Sequence, residues 1–289
     1  MPKYCISDLI IEVEAPEWAL HDNLGPFLCD TGDRDVFCGI VFNKRPTILS
    51  EEAEIIVKTP GTTIFEFEGC FHNLSGDDED IPSYTVASKK WSVYTMFVDP
   101  EYNNPKDHEI VQSVRDGIFS ALRSVAIVAL AQKQGLTIHS CTIIWNGKGV
   151  LFSAPSGTGK STHAQLWKQL YNTSILDGDV TACRMVNGIP IVYGLPWCGT
   201  SGEFINRNVP LRAIVFLEQA KENSIKKLDL RETVIRLTAR SFLLPWNNEL
   251  MNQYLDIVQE IAENTDCYLL NCLPDSDAVE LVKKCLEMN

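Results

Sequence analysis

The sequence predicts an α/β protein in two parts: a β-rich N-terminal region over residues 1–105 and a P-loop-containing mixed-sheet domain over residues 106–289. Three observations carry the prediction. The stretch Ala154-Pro155-Ser156-Gly157-Thr158-Gly159-Lys160-Ser161-Thr162 separates a strand-like apolar run from a helix-like one. Two Asn-Gly pairs, Asn146-Gly147 and Asn187-Gly188, each divide two apolar runs, which is the strongest short-range hairpin signal. The first third of the chain is a succession of short runs rich in β-branched and aromatic residues, the composition of strands.

In order, the strand-like runs of the first region fall at residues 4–14, 35–43, 54–58, 62–68, 84–87 and 91–98, with turn formers such as Pro60-Gly61 between them. Ser75-Gly76-Asp77-Asp78-Glu79-Asp80 reads as a solvated acidic loop, because nothing in it fixes a ligand geometry. This region carries no chemical motif and reads as a small sheet that docks on the second half or binds a partner. Residues 107–134 read as one long helix bridging the two parts within 106–135. Ile110, Val111, Val114, Ile118, Leu122, Val125 and Ala129 recur at steps of three and four, Asp107 is placed to cap the helix and Gly135 to end it.

Strands follow at 136–139, 141–145 and 149–153. The Asn146-Gly147 turn makes the strand that enters the glycine loop antiparallel to the one before it. Many P-loop enzymes instead surround the loop with parallel strands and helical crossovers, so a different fold carrying a similar loop is expected. Residues 163–171 read as a helix and 174–176 as a short strand ending in Asp177-Gly178-Asp179. A hairpin at 181–193 comes next, then a glycine-rich irregular stretch at 194–202 and a buried strand at 211–217. Helices at 232–244 and 248–262, a strand at 267–270 and a helix at 275–286 complete the chain.

The bulk numbers bound the chemistry. Among 289 residues the formal net charge is −13, which argues against nucleic acid and anionic membranes as partners. A phosphate site in such a chain must supply its own local positive charge and metal. The ten cysteines are scattered with no C-x-x-C pair, as expected of buried free thiols in a reducing cytoplasm. Met1-Pro2-Lys3-Tyr4-Cys5 leads into a strand-like run and not a signal peptide. The longest apolar run, residues 125–131, is too short to span a bilayer.

A strand, a glycine loop, Lys-Ser and a helix form the context that a phosphate-binding loop requires. Gly157 and Gly159 let the backbone turn N–H groups inward on an anion, and the helix N-terminus adds partial positive charge. Ser156, Gly157, Thr158, Gly159, Lys160, Ser161 and Thr162 are therefore the candidate nucleotide-binding residues, with Lys160 reaching the outer phosphates and the Ser161 hydroxyl serving Mg2+. The first position is Ala154 where the strict pattern has glycine. Asp177 and Asp179, at a strand end downstream of such a loop, are placed to hold Mg2+ or to take a proton, although Asp-Gly-Asp is also an ordinary turn.

From Ile138 onward these residues resemble the kinase domain of HPr kinase/phosphorylase and, more distantly, ATP-dependent phosphoenolpyruvate carboxykinase. The shared pattern is a histidine on the strand two before the loop (His139), the Asn146-Gly147 hairpin, the loop from Ala154 to Ser161, and the acidic pair Asp177 and Asp179. Gly194-Leu195-Pro196-Trp197, and Asn206-Arg207-Asn208 before the apolar strand 211–217, further resemble the HPr-kinase-like proteins of peptide-natural-product gene clusters, lasso peptides among them. The resemblance covers about the last 155 residues. Two departures stand out: Gly178 splits an acidic pair that is adjacent in HPr kinases, and the family's metal-binding glutamate is absent near Ile191-Val192-Tyr193-Gly194. Both weigh against the reverse phosphorolysis reaction and against HPr as the substrate.

The resemblance implies an ATP- and Mg2+-dependent kinase that phosphorylates a hydroxyl, most readily a serine of a peptide or protein. In that reading Asp177 is the catalytic base and Asp179, with Ser161, a metal ligand, an assignment that could be exchanged between the two aspartates. His139 contacts the phosphates or orients Asp177, and Arg207 stabilises transferred charge or makes a surface salt bridge. A kinase for a free metabolite such as serine, and a non-catalytic nucleotide-dependent peptide-binding module, are the alternatives. A carboxykinase lacks its expected metal and dicarboxylate ligands here. HPr kinases are hexamers, which leaves a homo-oligomer open, although their first domain does not resemble residues 1–105.

Overall fold

The computed structural model describes residues 1–44, 53–75 and 83–288. The acidic residues 76–80 lie outside them. The chain forms two units, Met1–Ala129 and Leu130–Asn289, each a mixed α/β assembly around its own mixed sheet.

In the first unit, β1 (Lys3–Ile6) and β2 (Leu9–Glu14) form a hairpin, so the apolar run 4–14 is two strands and not one. The turn is made by Ser7 and Asp8, with φ of 54° and 60°, the twist that two-residue hairpins favour. The sheet continues through β3 (Leu28–Cys29), β4 (Val36–Phe42), β5 (Glu54–Thr59), β6 (Thr62–Phe67), β7 (Cys70–Ser75), β8 (Ser83–Ser88) and β9 (Val93–Val98). Its nine strands run in the order β3-β1-β2-β4-β9-β8-β7-β6-β5, with β4 parallel to both neighbours. Alternating residues such as Leu9, Ile11 and Val13 of β2 and Val36, Cys38 and Ile40 of β4 are buried, the period-2 pattern of a sheet with one covered face. Helix α1 (His108–Ala131) starts where the Asp107 carboxylate accepts from the Glu109 N–H at 2.8 Å. It buries Val114, Ile118, Leu122 and Val125, the stripe expected from their spacing.

The second unit opens on β10 (Gly135–Trp145), one long strand where two short ones were expected. Gly135 begins this strand and does not cap the helix: a Cβ there would lie 2.4 Å from the Arg184 side chain and 2.9 Å from that of Leu130. β11 (Lys148–Ser153), helix α2 (Lys160–Tyr171), β12 (Ser174–Asp177), β13 (Val180–Val186), β14 (Ile189–Tyr193), β15 (Asn208–Gln219) and β16 (Ser224–Lys227) follow. Helices α3 (Leu230–Arg240) and α4 (Asn248–Glu263), β17 (Asp266–Cys272) and helix α5 (Ser276–Met288) complete it. Both Asn-Gly pairs form the expected tight turns, with positive φ at Asn146, Gly147, Asn187 and Gly188.

β10 changes partners along its length. Residues 135–139 pair with β13 and residues 140–145 with β11, while β12 pairs beside residues 142–144. β15 does the same, pairing with β14 at its start and then running parallel to β11 and β17. The pairings β10–β11–β15–β14–β13–β10 therefore close a ring. Gly149 faces its interior, where a Cβ would meet Val192 at 2.4 Å. β11 is antiparallel to β10, as the hairpin signal requires, and parallel to β15 on its other side. Below the glycine loop, Phe152, Ala164, Trp167, Val215, Leu270 and Val282 share one core. None of the ten cysteines forms a disulfide, and no helix among the described residues is long and apolar enough to cross a membrane.

Candidate functional site

The glycine loop leaves the end of β11 and enters α2 at Lys160. Gly157 and Gly159 have φ of 76° and 113°, and an added Cβ at either would meet nothing within 4 Å. Glycine is needed there for backbone conformation, and the space beside the loop is open. Gly159 is the N-cap of α2 and no side chain caps that end. The first-turn N–H groups of a helix have no intrahelical partner, so this end of α2 offers them to an anion.

Lys160 is 7% exposed. Its ammonium lies 3.1 Å from His139 Nε2 and donates to the Ala154 carbonyl at 3.2 Å. Burial pushes its pKa below the usual lysine value; Asp179 opposes this shift and Arg240 adds to it. His139 sits where β10 passes from β13 to β11. Its carbonyl accepts from the Ser153 hydroxyl at 2.8 Å, and its Nε2 lies 3.5 Å from the Asp179 carboxylate. Lys160, His139 and Asp179 thus form a chain of contacts across the base of the loop. Asp179 is held by its backbone, whose carbonyl accepts from the Ser140 N–H at 2.9 Å.

The two aspartates of the Asp-Gly-Asp turn differ sharply. Asp177 is 0% exposed. Its Oδ1 accepts from the N–H groups of Asp179 and Val180, each at 3.0 Å, and its Oδ2 from that of Leu195 at 2.8 Å. Burial pushes its pKa well above the usual carboxylate value, against these three donors, which act to lower it. Asp179 instead keeps 35% of its side chain exposed. It lines a cavity of about 250 Å³ together with Ser161, Gln165, Thr200, Ser201 and Glu203. Ser161 and Gln165 reach it from one face of α2, being four residues apart.

The opposite wall is the 194–203 segment. Gly194, Leu195, Pro196, Trp197 and Cys198 are all buried. A Cβ on Gly178 would lie 2.0 Å from the Ser201 hydroxyl, and one on Gly199 would lie 2.8 Å from the Asp179 carboxyl carbon. The turn and this wall are therefore pressed together. Glu203 accepts from Gln165 Nε2 at 2.7 Å and pairs with Lys168.

The structure thus brings Lys160, His139, Asp179 and Ser161 together and sets Asp177 behind them. It does not bring the exposed Arg207 side chain to that group: the contact made by Arg207 nearby is its carbonyl, which accepts from the Gly194 N–H at 3.1 Å. Three residues at or near the site carried no sequence signal: Gln165, Glu203 and Arg240. No glutamate stands at 191–194, but Glu203 brings a carboxylate to the cavity. Among the described residues no group of three His, Cys, Asp or Glu side chains has metal-binding geometry. The oxygens of Ser161 and Asp179 on one cavity nevertheless suit Mg2+, which takes one or two protein ligands and completes its shell with phosphates and water.

A family model described as SynChlorMet cassette protein ScmC matches residues 105–274. Among solved structures, the Hpr(Ser) kinase/phosphatase from Coxiella burnetii is similar over 53% of this chain and 92% of that one, at 13% identity and a TM-score of 0.33. No curated protein matches the chain.

Proposed function

The chain belongs to the SynChlorMet cassette protein ScmC family, and we propose that it is an ATP-dependent kinase that transfers the γ-phosphoryl group to a hydroxyl, most readily a serine of a peptide or protein. The observation that carries this reading is Lys160. It is an ammonium 7% exposed at the first turn of α2, and among the described residues no carboxylate pairs with it directly. A buried, desolvated cation gains most from an anion, and the uncapped helix end beside it favours the same ligand.

In this reading the N–H groups of residues 156–162 and the Lys160 ammonium hold the β- and γ-phosphates. Ser161 would hold Mg2+ together with phosphate oxygens and water, and the ion would supply neutralising charge to those phosphates. Phosphoryl transfer asks mainly for positioning and charge neutralisation. The acceptor hydroxyl enters beside Asp179, whose carboxylate takes its proton. Asp179 thereby inherits the base role expected of Asp177, because Asp177 has both carboxylate oxygens engaged by backbone N–H groups. Asp177 serves to fix the turn that aims Asp179. His139 contacts both Lys160, at 3.1 Å, and Asp179, at 3.5 Å, and so links the phosphate-binding cation to the base. The resemblance to proteins of peptide-natural-product clusters favours a peptide acceptor.

The test is a mass-spectrometric phosphotransfer assay with ATP, Mg2+ and a panel of serine-bearing acceptors. A gain of one phosphate on an acceptor, lost in Lys160→Ala, is the expected result. Nucleotide binding without modification of any acceptor would move the chain to a nucleotide-dependent binding module.

A further inference from the structure

The cavity beside Asp179 is small and its charge is uneven, and both properties bear on what enters it. At about 250 Å³ it lies below the usual range of roughly 300–1,000 Å³ for sites that enclose a whole drug-sized ligand. A nucleoside and an acceptor do not both fit. The turn and the 199–203 wall are in close contact at Gly178 and Gly199. Ser201 is tied in further: its hydroxyl donates to the Cys198 carbonyl at 2.7 Å and accepts from the Glu203 N–H at 3.2 Å. Two carboxylates, Asp179 and Glu203, line the cavity, and Lys168 pairs with Glu203.

Resting on the kinase reading above, we infer that this cavity is the acceptor site, that it admits a single small primary alcohol, and that Glu203 selects acceptors carrying a positive charge next to that alcohol. The alcohol oxygen attacks the γ-phosphorus of ATP, forming the new O–P bond as the bond from that phosphorus to the β,γ-bridging oxygen breaks. The alcohol proton passes to Asp179 and ADP leaves. The charged neighbour is either a basic side chain flanking serine in a peptide or the ammonium of a free hydroxy amino acid. Glu203, about a third exposed and already paired with Lys168 and Gln165, exerts a moderate pull on it, and an anionic neighbour is repelled.

The experiment measures kcat/KM for phosphotransfer by the full chain to three matched serine pentapeptides, flanked by lysine, alanine or aspartate, and to free L-serine. ADP binding by calorimetry runs in parallel to report an intact nucleotide site in each variant. The expected result is a preference of about fivefold or more for the lysine-flanked over the aspartate-flanked peptide. Glu203→Gln should level that preference and Lys168→Gln, which leaves Glu203 unneutralised, should raise it. Comparison of L-serine with the lysine-flanked peptide tells which source of charge is used. Equal rates across the peptides, or a preference unchanged in both variants, overturns the inference and leaves the kinase reading standing. ADP binding with no acceptor phosphorylated overturns both. Should Glu203→Gln lose ADP binding, Lys168→Gln alone decides.

Discussion

The glycine loop leads into α2, which lines one side of the cavity, the 194–203 segment lines the other, and the two use glycine for opposite purposes. In the loop, Gly157 and Gly159 are required by their positive φ, and a Cβ would meet nothing within 4 Å. In the segment, Gly194 is required by crowding: a Cβ there would sit 2.2 Å from the Ile205 carbonyl oxygen and 2.6 Å from that of Leu176. The loop holds space open, as a ligand site must. The segment closes space and makes a wall whose position depends on the Asp177 carboxylate. Loss of a group on the loop side should therefore cost rate, and loss of one on the wall side should cost stability first.

Lys160 tests the loop side most severely. Lys160→Ala should lower phosphotransfer about 10³-fold or more while thermal unfolding keeps its midpoint or rises, since a buried charge is removed. Comparable rates for variant and parent would break the contrast.

The core under the loop sharpens it through pH. His163, on α2, is 3% exposed and its Nε2 accepts from Trp167 Nε1 at 3.2 Å. Burial pushes its pKa down to about 4. A histidine with a depressed pKa takes up its proton more readily when unfolded. Its contribution is present above about pH 6.5 and is lost as pH falls toward 4, roughly 3 kcal/mol in all. Urea unfolding at pH 7 and 4.5, in the parent and in His163→Gln, should show the acid loss shrink in the variant.

The two aspartates separate rate from stability directly. Asp177→Asn places an amide donor against backbone N–H groups and should cost about 2–3 kcal/mol in unfolding free energy. Asp179→Asn should leave the unfolding midpoint in place and lower transfer about 10²-fold. Urea titrations and initial rates on both variants measure this, and a stable but inactive Asp177→Asn would return the base role to Asp177.

The smallest effect compares the glycines themselves. Gly157→Ala should cost about 1 kcal/mol through backbone strain alone. Gly199→Ala meets the same strain, at φ 59°, and also displaces the Asp179 carboxylate, so its unfolding cost should be larger and its transfer rate lower.

These differences explain what was legible beforehand. The loop, both Asn-Gly hairpins and the α1 stripe depend on residues near one another in the chain, and their spacing announces them. The Ser7-Asp8 turn lacks the Asn-Gly signal, and β7, with Cys70, His72 and Asn73, lacks the β-branched one. The fate of Asp177 was not legible, because its third donor, Leu195, is eighteen residues away. Glu203 enters the cavity only because the wall folds against the Asp-Gly-Asp turn. The Arg207 side chain is exposed, and its carbonyl accepts from the Gly194 N–H.

The closed path of strands in the second unit has a consequence for how the loop comes into being. β11 carries the glycine loop, yet one of its two partners is β15, whose residues begin at Asn208. A nascent chain that has passed the loop but not β15 holds β11 as an open edge, exposed to pairing with other chains. The loop acquires its mounting only when a segment some fifty residues downstream slots in beside it, and such non-local closure is slow. Chains truncated before β15 should therefore be recovered as aggregates and not as smaller nucleotide-binding fragments.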